Sequence, residues 1–325
     1  MQDDTPSPFV KRQAPWKLAL NISLPVILLA IFAWQFKVNW KDIRHFDWHI
    51  NWDVAMLGVL VLIFNSLLEV VIWNRTLRWF TDPLPFFKVV PVYIWSSLAR
   101  YIPGKVASLA LRAGLAAEAD REVIPVLASS TVELALRTAA GLLVALLIFL
   151  APGTKAAGKL MVAAAVVIPL VLICAHPKIM LPAMNWVLRK IKQQQVCHNV
   201  TYSDILLVFL ATILRWGVYG VGFTLLVRAV YPPAWSHLLV LIGTGSFAWA
   251  AGFIGMSPGG LGLMEWVQKT ILSDALHLPI AIALVLPALF RLATLIAEGL
   301  WALAAVFMRK TWDEGVSPDA KTDNA

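Results

Sequence analysis

"ARYIPGKVASLALRAG", residues 99–114, places a Pro-Gly pair, one lysine and two arginines inside an otherwise apolar part of the chain. Proline lacks an amide hydrogen and clashes with the preceding helical turn, and glycine relaxes the backbone. A helix that reaches Pro103 therefore ends there, and a second helix is predicted to begin near Lys105. The stretch predicts a broken helical segment that carries positive charge at its break.

The composition of the whole chain is that of an integral membrane protein. Its 325 residues are 59% hydrophobic and 14% charged, with a mean hydropathy of +0.74, which is too apolar for an ordinary water-soluble domain. Fifteen tryptophans, several of them near the ends of apolar runs, fit the aromatic belts of a bilayer. Two cysteines and six scattered histidines offer no disulfide framework and no metal-ligand spacing, so neither a metal nor another cofactor is expected.

The apolar runs predict an all-α, polytopic membrane protein. About six runs are long enough to cross a hydrocarbon core of roughly 30 Å, namely residues 17–36, 54–74, 124–150, 159–175, 203–230 and 277–308. Two further segments, about 85–118 and 236–270, are apolar but interrupted by Pro, Gly and charge. Each is predicted as a broken re-entrant helical hairpin. Residues 1–14 and 311–325 are interpreted as cytoplasmic tails, the second one disordered, and 15–310 as the transmembrane domain.

The basic residues predict the orientation. With a cytoplasmic N-terminus, the inner segments hold Lys11, Arg12, Lys17, Arg75, Arg78, Lys88, Arg100, Lys105, Arg112, Arg121, Lys178, Arg189, Lys190, Lys192, Arg309 and Lys310. The outer segments hold only Lys37, Lys41, Arg44, Lys155, Lys159 and Lys269. The positive-inside rule therefore places both termini in the cytoplasm. Because these cations lie at the ends of apolar runs, the net charge of +8 favours lipid headgroups as partners and disfavours nucleic acid.

A second broken segment, "GMSPGGLGLMEW" at residues 255–266, suggests an internal duplication. Pro103 and Pro258 are 155 residues apart, and Arg137 and Arg291 are 154 apart. The predicted topology places the two breaks on opposite sides of the membrane. The halves, about 54–150 and 203–308, would then form an inverted repeat about an axis in the membrane plane. The alternative that two Pro-Gly pairs share this spacing by chance stays open.

The first break has the chemistry of an anion site. A helix that starts within the membrane exposes unpaired N–H groups at the positive end of its dipole, and Lys105 adds charge there. Arg100 and Arg112 are candidates for further charge-assisted hydrogen bonds to the same phosphate. Pro103 and Gly104 are the candidate hinge.

The second break offers a close backbone approach and a carboxylate. Its candidate hinge and backbone residues are Pro258, Gly259, Gly260 and Gly262, the glycines allowing a ligand or a helix to come close. Glu265 follows by about one helical turn. Its open roles are pairing with Lys105 or Arg137, accepting a proton, or contacting an ammonium headgroup.

Further charges interrupt the predicted spans: Glu69, Glu133, Arg137, Arg215, Arg291 and Glu298. Glu133 and Arg137 are four residues apart and are predicted to form an intrahelical ion pair. Burying either one alone in lipid costs about 3 kcal/mol, so these side chains are expected to face the protein interior or an aqueous cavity. For Arg137 and Arg291, two interpretations stay open: a polar substrate path or contacts between helices.

These motifs together resemble the lysylphosphatidylglycerol synthase transmembrane-region family, which includes the flippase-like half of bacterial multiple peptide resistance factors. The resemblance covers about residues 15–310. It is carried by four features: "RYIPGK" at 100–105, Glu133 in the following span, the run from Pro258 to Glu265, and Arg291 in the last span. The chain departs from the family pattern after Glu133, where Leu134 and then Arg137 stand in place of an arginine and an aspartate.

The resemblance implies movement of a phospholipid between the leaflets of the bacterial inner membrane. In the fused proteins that lipid is an aminoacylated phosphatidylglycerol made by a separate soluble synthase domain. No segment outside the spans is long enough for such a domain, so aminoacyl transfer is not expected of this chain. The expected ligand is an anionic phospholipid or a polyprenyl-phosphate lipid. The predicted ligand-binding residues are Arg100, Lys105, Arg112, Glu133, Arg137, Glu265 and Arg291.

Two other functions remain open. The first is a membrane-embedded transferase with Glu133 or Glu265 as general base, although the sequence shows neither a metal-binding carboxylate pair nor a nucleophile beside a base. The second is a membrane partner of a separately encoded synthase or glycosyltransferase. Association into a homodimer is also left open by the sequence.

Overall fold

The computed structural model describes residues 33–101, 107–147, 200–255 and 258–314, with a few scattered residues between 173 and 189. Its helices, numbered here in chain order, are α1 (Trp40–His45), α2 (Trp52–Leu77), α3 (Phe86–Leu98), α4 (Ala107–Ala117), α5 (Val123–Ala145), α6 (Tyr202–Val230), α7 (Leu238–Ile254), α8 (Leu263–Thr270) and α9 (Ile280–Glu314). Single 3-10 turns occupy Ala99–Tyr101, Trp235–His237 and Pro258–Gly260, and a π-helical turn occupies Ile271–Ala275. The predicted span at 159–175, most of that at 17–36, and residues 1–14 and 315–325 lie outside the described residues.

Among the described residues, five helices are long and apolar enough to cross a membrane: α2, α5, α6, the stretch Trp235–Phe253 that covers most of α7, and α9 up to Lys310. Four of them coincide with predicted spans. The described residues form helices and no strand, as expected of an all-α membrane protein.

At the second predicted break, α7 and α8 are separate helices. At the first, α3 ends at Leu98 and α4 is described from Ala107, while Pro103, Gly104 and Lys105 lie outside the described residues. α7 ends at Ile254, and the chain turns at Gly255, three residues before Pro258. The stretch Trp235–Phe253 is long enough to cross a membrane, although the sequence predicted this segment as half of a re-entrant hairpin. α9 also differs from the prediction. It continues to Glu314, four residues into the predicted tail, because the first helix-breaking residue after Lys310 is Gly315.

The order and packing of the elements occur twice. A long helix, a shorter helix, a break, a short helix and a long helix follow one another in α2–α5 and again in α6–α9. The packing between these halves is reciprocal. α3 packs on α9, and the equivalent helix of the second half, α7, packs on α5. In the same way α2 packs on α9, and its equivalent α6 packs on α5. α2 and α6, which are equivalent in this order, pack against each other, and so do the turns at the two breaks.

The two equivalent long helices run antiparallel. At one end of the pair, the Asn51 N–H donates to the Ala229 carbonyl oxygen at 2.8 Å. At the other end, Arg75 Nη2 lies 3.9 Å from Asp204 Oδ1. A twofold operation that exchanges two antiparallel helices has its axis perpendicular to them.

The bundle therefore has two distinct ends. The first end, marked by Arg75 and Asp204, also holds the Arg309–Glu118 ion pair between the end of α9 and the residue after α4. The flanks of the first broken segment lie at this end, where Arg121 Nε donates to the Asp82 carbonyl oxygen at 2.9 Å. The second end holds the C-terminus of α6, the start of α7 and the start of α9.

Apolar side chains pack the helices together on two sides of a polar centre. On one side, Phe223 and Phe290 meet edge to face with centroids 4.8 Å apart, joining α6 to α9. On the other side, fully buried Trp73 donates through Nε1 to Ser130 Oγ at 3.1 Å, joining α2 to α5. These contacts fix the walls of the centre, because buried aromatic rings bring large contact areas and their polar atoms need partners.

Candidate functional site

A cavity of about 230 Å³ lies at this polar centre, between the long helices and the two breaks. Its charged lining residues among those described are Glu69, Arg100, Arg112, Glu133, Arg137, Arg215, Arg291 and Glu298. Several aromatic side chains also line it: Tyr93, Tyr101, Trp216, Tyr219, Trp249 and Phe253. Most of these charges come from near the middle of membrane-length helices, where each unpaired charge is costly.

The two broken segments meet at the cavity. The turn containing Tyr101 contacts the turn Pro258–Gly260, and the Tyr101 ring lies directly over Gly259. Gly259 has φ +58°, and any Cβ there would overlap that ring. A glycine is therefore required at this position, both by its left-handed backbone and by the close approach of the tyrosine.

Glu69 of α2 joins two arginines from different halves. Its Oε1 contacts Arg215 Nη1 at 2.5 Å and Arg137 Nη2 at 3.5 Å. The Tyr93 hydroxyl donates to its other oxygen at 3.4 Å. One carboxylate thus faces two guanidinium groups inside the bundle.

Glu133 makes the second shared contact. Its Oε1 lies 3.3 Å from Arg137 Nη1 and its Oε2 lies 3.4 Å from Arg112 Nη1. The predicted pair between Glu133 and Arg137 is therefore confirmed. Arg112 is further held by the Ser96 hydroxyl oxygen, which accepts from its Nε at 3.0 Å, and by the Tyr93 ring 4.1 Å from its Cζ.

The turn after α3 is tied to α9 of the other half. Arg100 Nη2 lies 3.0 Å from Glu298 Oε1, and the Tyr101 hydroxyl donates to Glu298 Oε2 at 3.1 Å. The Nε of Arg100 donates to the carbonyl oxygen of Ser97 at 2.9 Å. Both Arg100 and Tyr101 are therefore engaged with residues of the protein.

Arg291 of α9 holds the second break. Its Nε lies 2.7 Å from Glu265 Oε1, and its Nη1 donates to the Gly259 carbonyl oxygen at 3.1 Å. The Gly262 N–H donates to Glu265 Oε2 at 2.8 Å, with Gly262 at φ +81°. Glu265 thus pairs with Arg291 and not with Arg137, one of the partners left open by the sequence, because α8 and α9 pack side by side. Lys105, the other open partner, lies outside the described residues.

Three guanidinium nitrogens in the cavity wall have no hydrogen-bond partner among the described residues. They are Arg137 Nε, Arg215 Nε and Arg215 Nη2, all buried. Removing a charged donor from water without giving it a partner costs free energy. The site therefore holds donors that an anion is able to satisfy.

Of the residues predicted for the site, Arg100, Arg112, Glu133, Arg137, Pro258, Gly259, Gly260 and Arg291 line the cavity, and Glu265 and Gly262 support Arg291 from behind it. Lys105, Pro103 and Gly104 lie outside the described residues. Sequence reasoning noted Glu69, Arg215 and Glu298 as intramembrane charges but did not place them in the site. The signal was available, because an ionisable residue within an apolar span is by default a candidate functional residue.

The carboxylates of the site are engaged by cations. Both oxygens of Glu133 face guanidinium groups, and those of Glu265 accept from Arg291 and from a backbone N–H. These contacts occupy the carboxylate oxygens, which favours charge pairing over the general-base roles that the sequence left open. No protein-family model, no curated protein and no solved structure matches the chain.

Proposed function

We propose that the protein is a flippase-like transporter that moves an anionic phospholipid or a lipid-linked phosphate between the leaflets of the bacterial inner membrane. The observation that carries the proposal is the arginine-lined cavity enclosed by helices of membrane length. Among the described residues, five arginines and three glutamates line it, an excess of two positive charges, of which Glu265 behind Arg291 offsets one. A protein that only anchored a partner enzyme in the membrane would not need a polar cavity at this depth, because apolar packing there costs less free energy.

The size of the cavity supports a headgroup as the bound part. Pockets that enclose a whole drug-sized ligand typically measure about 300 to 1,000 Å³. A cavity of about 230 Å³ has room for a phosphate with a small substituent, not for acyl chains. The tails would therefore stay in the surrounding lipid while the headgroup crosses.

The reciprocal packing of the two halves supports an inverted repeat. α2 and α6 exchange under a twofold axis perpendicular to both, and this axis lies in the membrane plane if the two helices span the bilayer. The broken segments then enter from opposite faces and meet at the cavity through Tyr101 and Gly259. With the basic residues on the cytoplasmic side, the first broken segment enters from the cytoplasm and both termini lie there.

Contacts that cross between the two halves support a mechanism of alternating access, because they can break and re-form as the halves move. The turn after α3 is held to α9 by Glu298, and α2 is held to α6 by Glu69 and Arg215. Rocking of one half against the other breaks one set of contacts and opens the cavity to one side at a time. This is the activity that the family resemblance implies for the chain.

A vesicle assay tests the proposal. The purified protein is reconstituted with a fluorescently labelled phosphatidylglycerol, and a membrane-impermeant reductant bleaches the label that reaches the outer leaflet. We expect bleaching beyond the outer-leaflet fraction, and a slower rate for Arg291→Gln, which loses the contacts to Glu265 and Gly259.

The matched control is Arg228→Gln on α6. Arg228 lies over the Trp235 ring at 4.1 Å, away from the cavity, so its replacement is expected to keep the wild-type rate. Bleaching no greater than in protein-free vesicles would contradict transport. Equal rates for Arg291→Gln and wild type would contradict the assignment of the cavity.

A further inference from the structure

We infer that the group bound in the cavity is a singly charged phosphodiester, and that Arg137 and Arg215 hold it. This inference rests on the proposed function and narrows its ligand. It also adds Arg215, which the sequence did not place in the site. Phosphate binding is assigned to Arg137 and Arg215 instead of Arg100 and Arg112.

The hydrogen bonds separate the five arginines of the cavity into two groups. Arg100, Arg112 and Arg291 each use their Nε and a terminal nitrogen on protein acceptors. Arg215 leaves Nε and Nη2 without a partner, and Arg137 leaves Nε without one. The buried guanidinium nitrogens that lack an acceptor among the described residues therefore belong to Arg137 and Arg215.

These two guanidinium groups are close enough to act on one ligand. Both contact the same oxygen of Glu69, Arg215 at 2.5 Å and Arg137 at 3.5 Å. A phosphodiester has two non-bridging oxygens that share one charge, and it can bridge two planar donors in this arrangement.

The free nitrogens of Arg137 and Arg215 are buried. The side chain of Arg215 is only 3% exposed, and its Cζ lies 3.8 Å from the centre of the Trp216 ring, so the ring supports one face of the guanidinium group. Arg215 itself lines the cavity, so we expect ligand binding to turn its side chain and expose Nε and Nη2.

Among the described residues, the charge balance favours a single negative charge on the ligand. Two pairs in the described site are balanced, Arg100 with Glu298 and Arg291 with Glu265. The remaining described charges are three arginines against Glu69 and Glu133, one positive charge in excess. A phosphodiester neutralises that excess, whereas a phosphomonoester brings about 1.5 to 2 negative charges near neutral pH. The surplus negative charge is unfavourable in a water-poor site.

Two sources carry this chemistry: a glycerophospholipid with one phosphodiester, such as phosphatidylglycerol, and a polyprenyl lipid joined to a sugar through a phosphodiester. Binding to the detergent-solubilised protein is measured for both by native mass spectrometry at pH 8. Phosphatidic acid and polyprenyl monophosphate serve as phosphomonoesters, and diacylglycerol serves as the lipid without phosphate. The comparison uses the wild-type chain, so no variant has to fold for it to be decided.

We expect at least one phosphodiester lipid to bind more tightly than either phosphomonoester, and diacylglycerol not to bind. The phosphodiester lipid that binds shows whether the ligand is a glycerophospholipid or a polyprenyl-linked sugar. Tighter binding of a phosphomonoester, or equal binding of all the phosphates, would overturn the inference.

Variants test the two arginines. Arg215→Lys and Arg137→Lys keep the charge but lose Nε and the planar fork. Each is expected to weaken phosphodiester binding by about tenfold to a hundredfold, the loss of a charge-assisted hydrogen bond. Arg228→Lys, outside the cavity, is expected to bind as wild type does. Two lysine variants that keep the wild-type melting temperature and wild-type affinity would overturn the assignment.

The binding and vesicle results separate the two proposals. Selective phosphodiester binding without transport in vesicles would leave this inference standing and contradict the proposed function. Transport of lipid by a protein that prefers phosphomonoesters would contradict this inference and leave the proposed function standing.

Discussion

Glu69 holds the charge balance on one side of the cavity, because it is the carboxylate that Arg215 and Arg137 share. Arg215 is 3% exposed and has no other ion-pair partner among the described residues. A buried cation that loses its carboxylate keeps its desolvation cost and gains nothing in return. The network is therefore sensitive to single substitutions.

We predict that Glu69→Gln lowers the free energy of unfolding by about 3 to 5 kcal/mol, the cost of leaving a buried charge uncompensated. The measurement is a denaturant titration in mild detergent, followed by tryptophan fluorescence. The control is Glu118→Gln, which removes the partner of Arg309 at an exposed end of the bundle. An exposed pair contributes about 0 to 1 kcal/mol, so this variant should unfold close to wild type. Equal stabilities of the two variants would contradict the central role of Glu69.

At the scale of elements, α6 and α7 approach each other closely at Gly220. A Cβ built on Gly220 would overlap the backbone of Ile242, whereas one built on Gly217 of the same helix meets nothing within 4 Å. The two glycines are three residues apart and differ only in what faces them. They form a matched pair for testing whether α7 packs on α6 as described.

We predict that Gly220→Ala destabilises the protein by about 1 to 3 kcal/mol, because the two helices must move apart. Gly217→Ala should be neutral or stabilising by up to about 1 kcal/mol, since alanine favours the helix. Thermal unfolding of both variants in detergent measures the difference. A Gly220→Ala protein as stable as Gly217→Ala would show that α7 lies elsewhere.

The elements that the sequence predicted well are those decided by local chemistry. Proline and glycine disfavour a continuous helix, so the end of α3 before Pro103 and the turn at Pro258–Gly260 were predictable, and so was the Glu133–Arg137 pair at a spacing of four. A helix of membrane-spanning length within 236–270 was not predicted, because the glycines of that segment lower helix propensity while packing against α6 stabilises α7. Propensity is a weak guide where tertiary contacts decide.

Contacts across the bundle were beyond the reach of the sequence. Arg100 and Glu298 are 198 residues apart, and Arg215 and Glu69 are 146 apart. No local pattern connects residues at such separations. The nearly equal offsets between the two breaks and between Arg137 and Arg291 did suggest a duplication, and the reciprocal packing of the helices supports it.

At the scale of the whole molecule, the account depends on the two broken segments entering from opposite faces of the membrane. Asp82 and Asp120 flank the first segment, and Ser236 and Asp274 flank the second. All four side chains are exposed at the ends of the bundle. If each segment returns to the face from which it entered, the two residues of each pair lie on the same side.

Single cysteines at these four positions, in a chain with Cys174 and Cys197 replaced by serine, test this directly. An impermeant maleimide is applied to intact cells and to inverted membrane vesicles. The account predicts that positions 82 and 120 are labelled only in inverted vesicles and positions 236 and 274 only in intact cells. Labelling of the two flanks of either segment from opposite sides would show that the segment crosses the membrane, and would contradict the account.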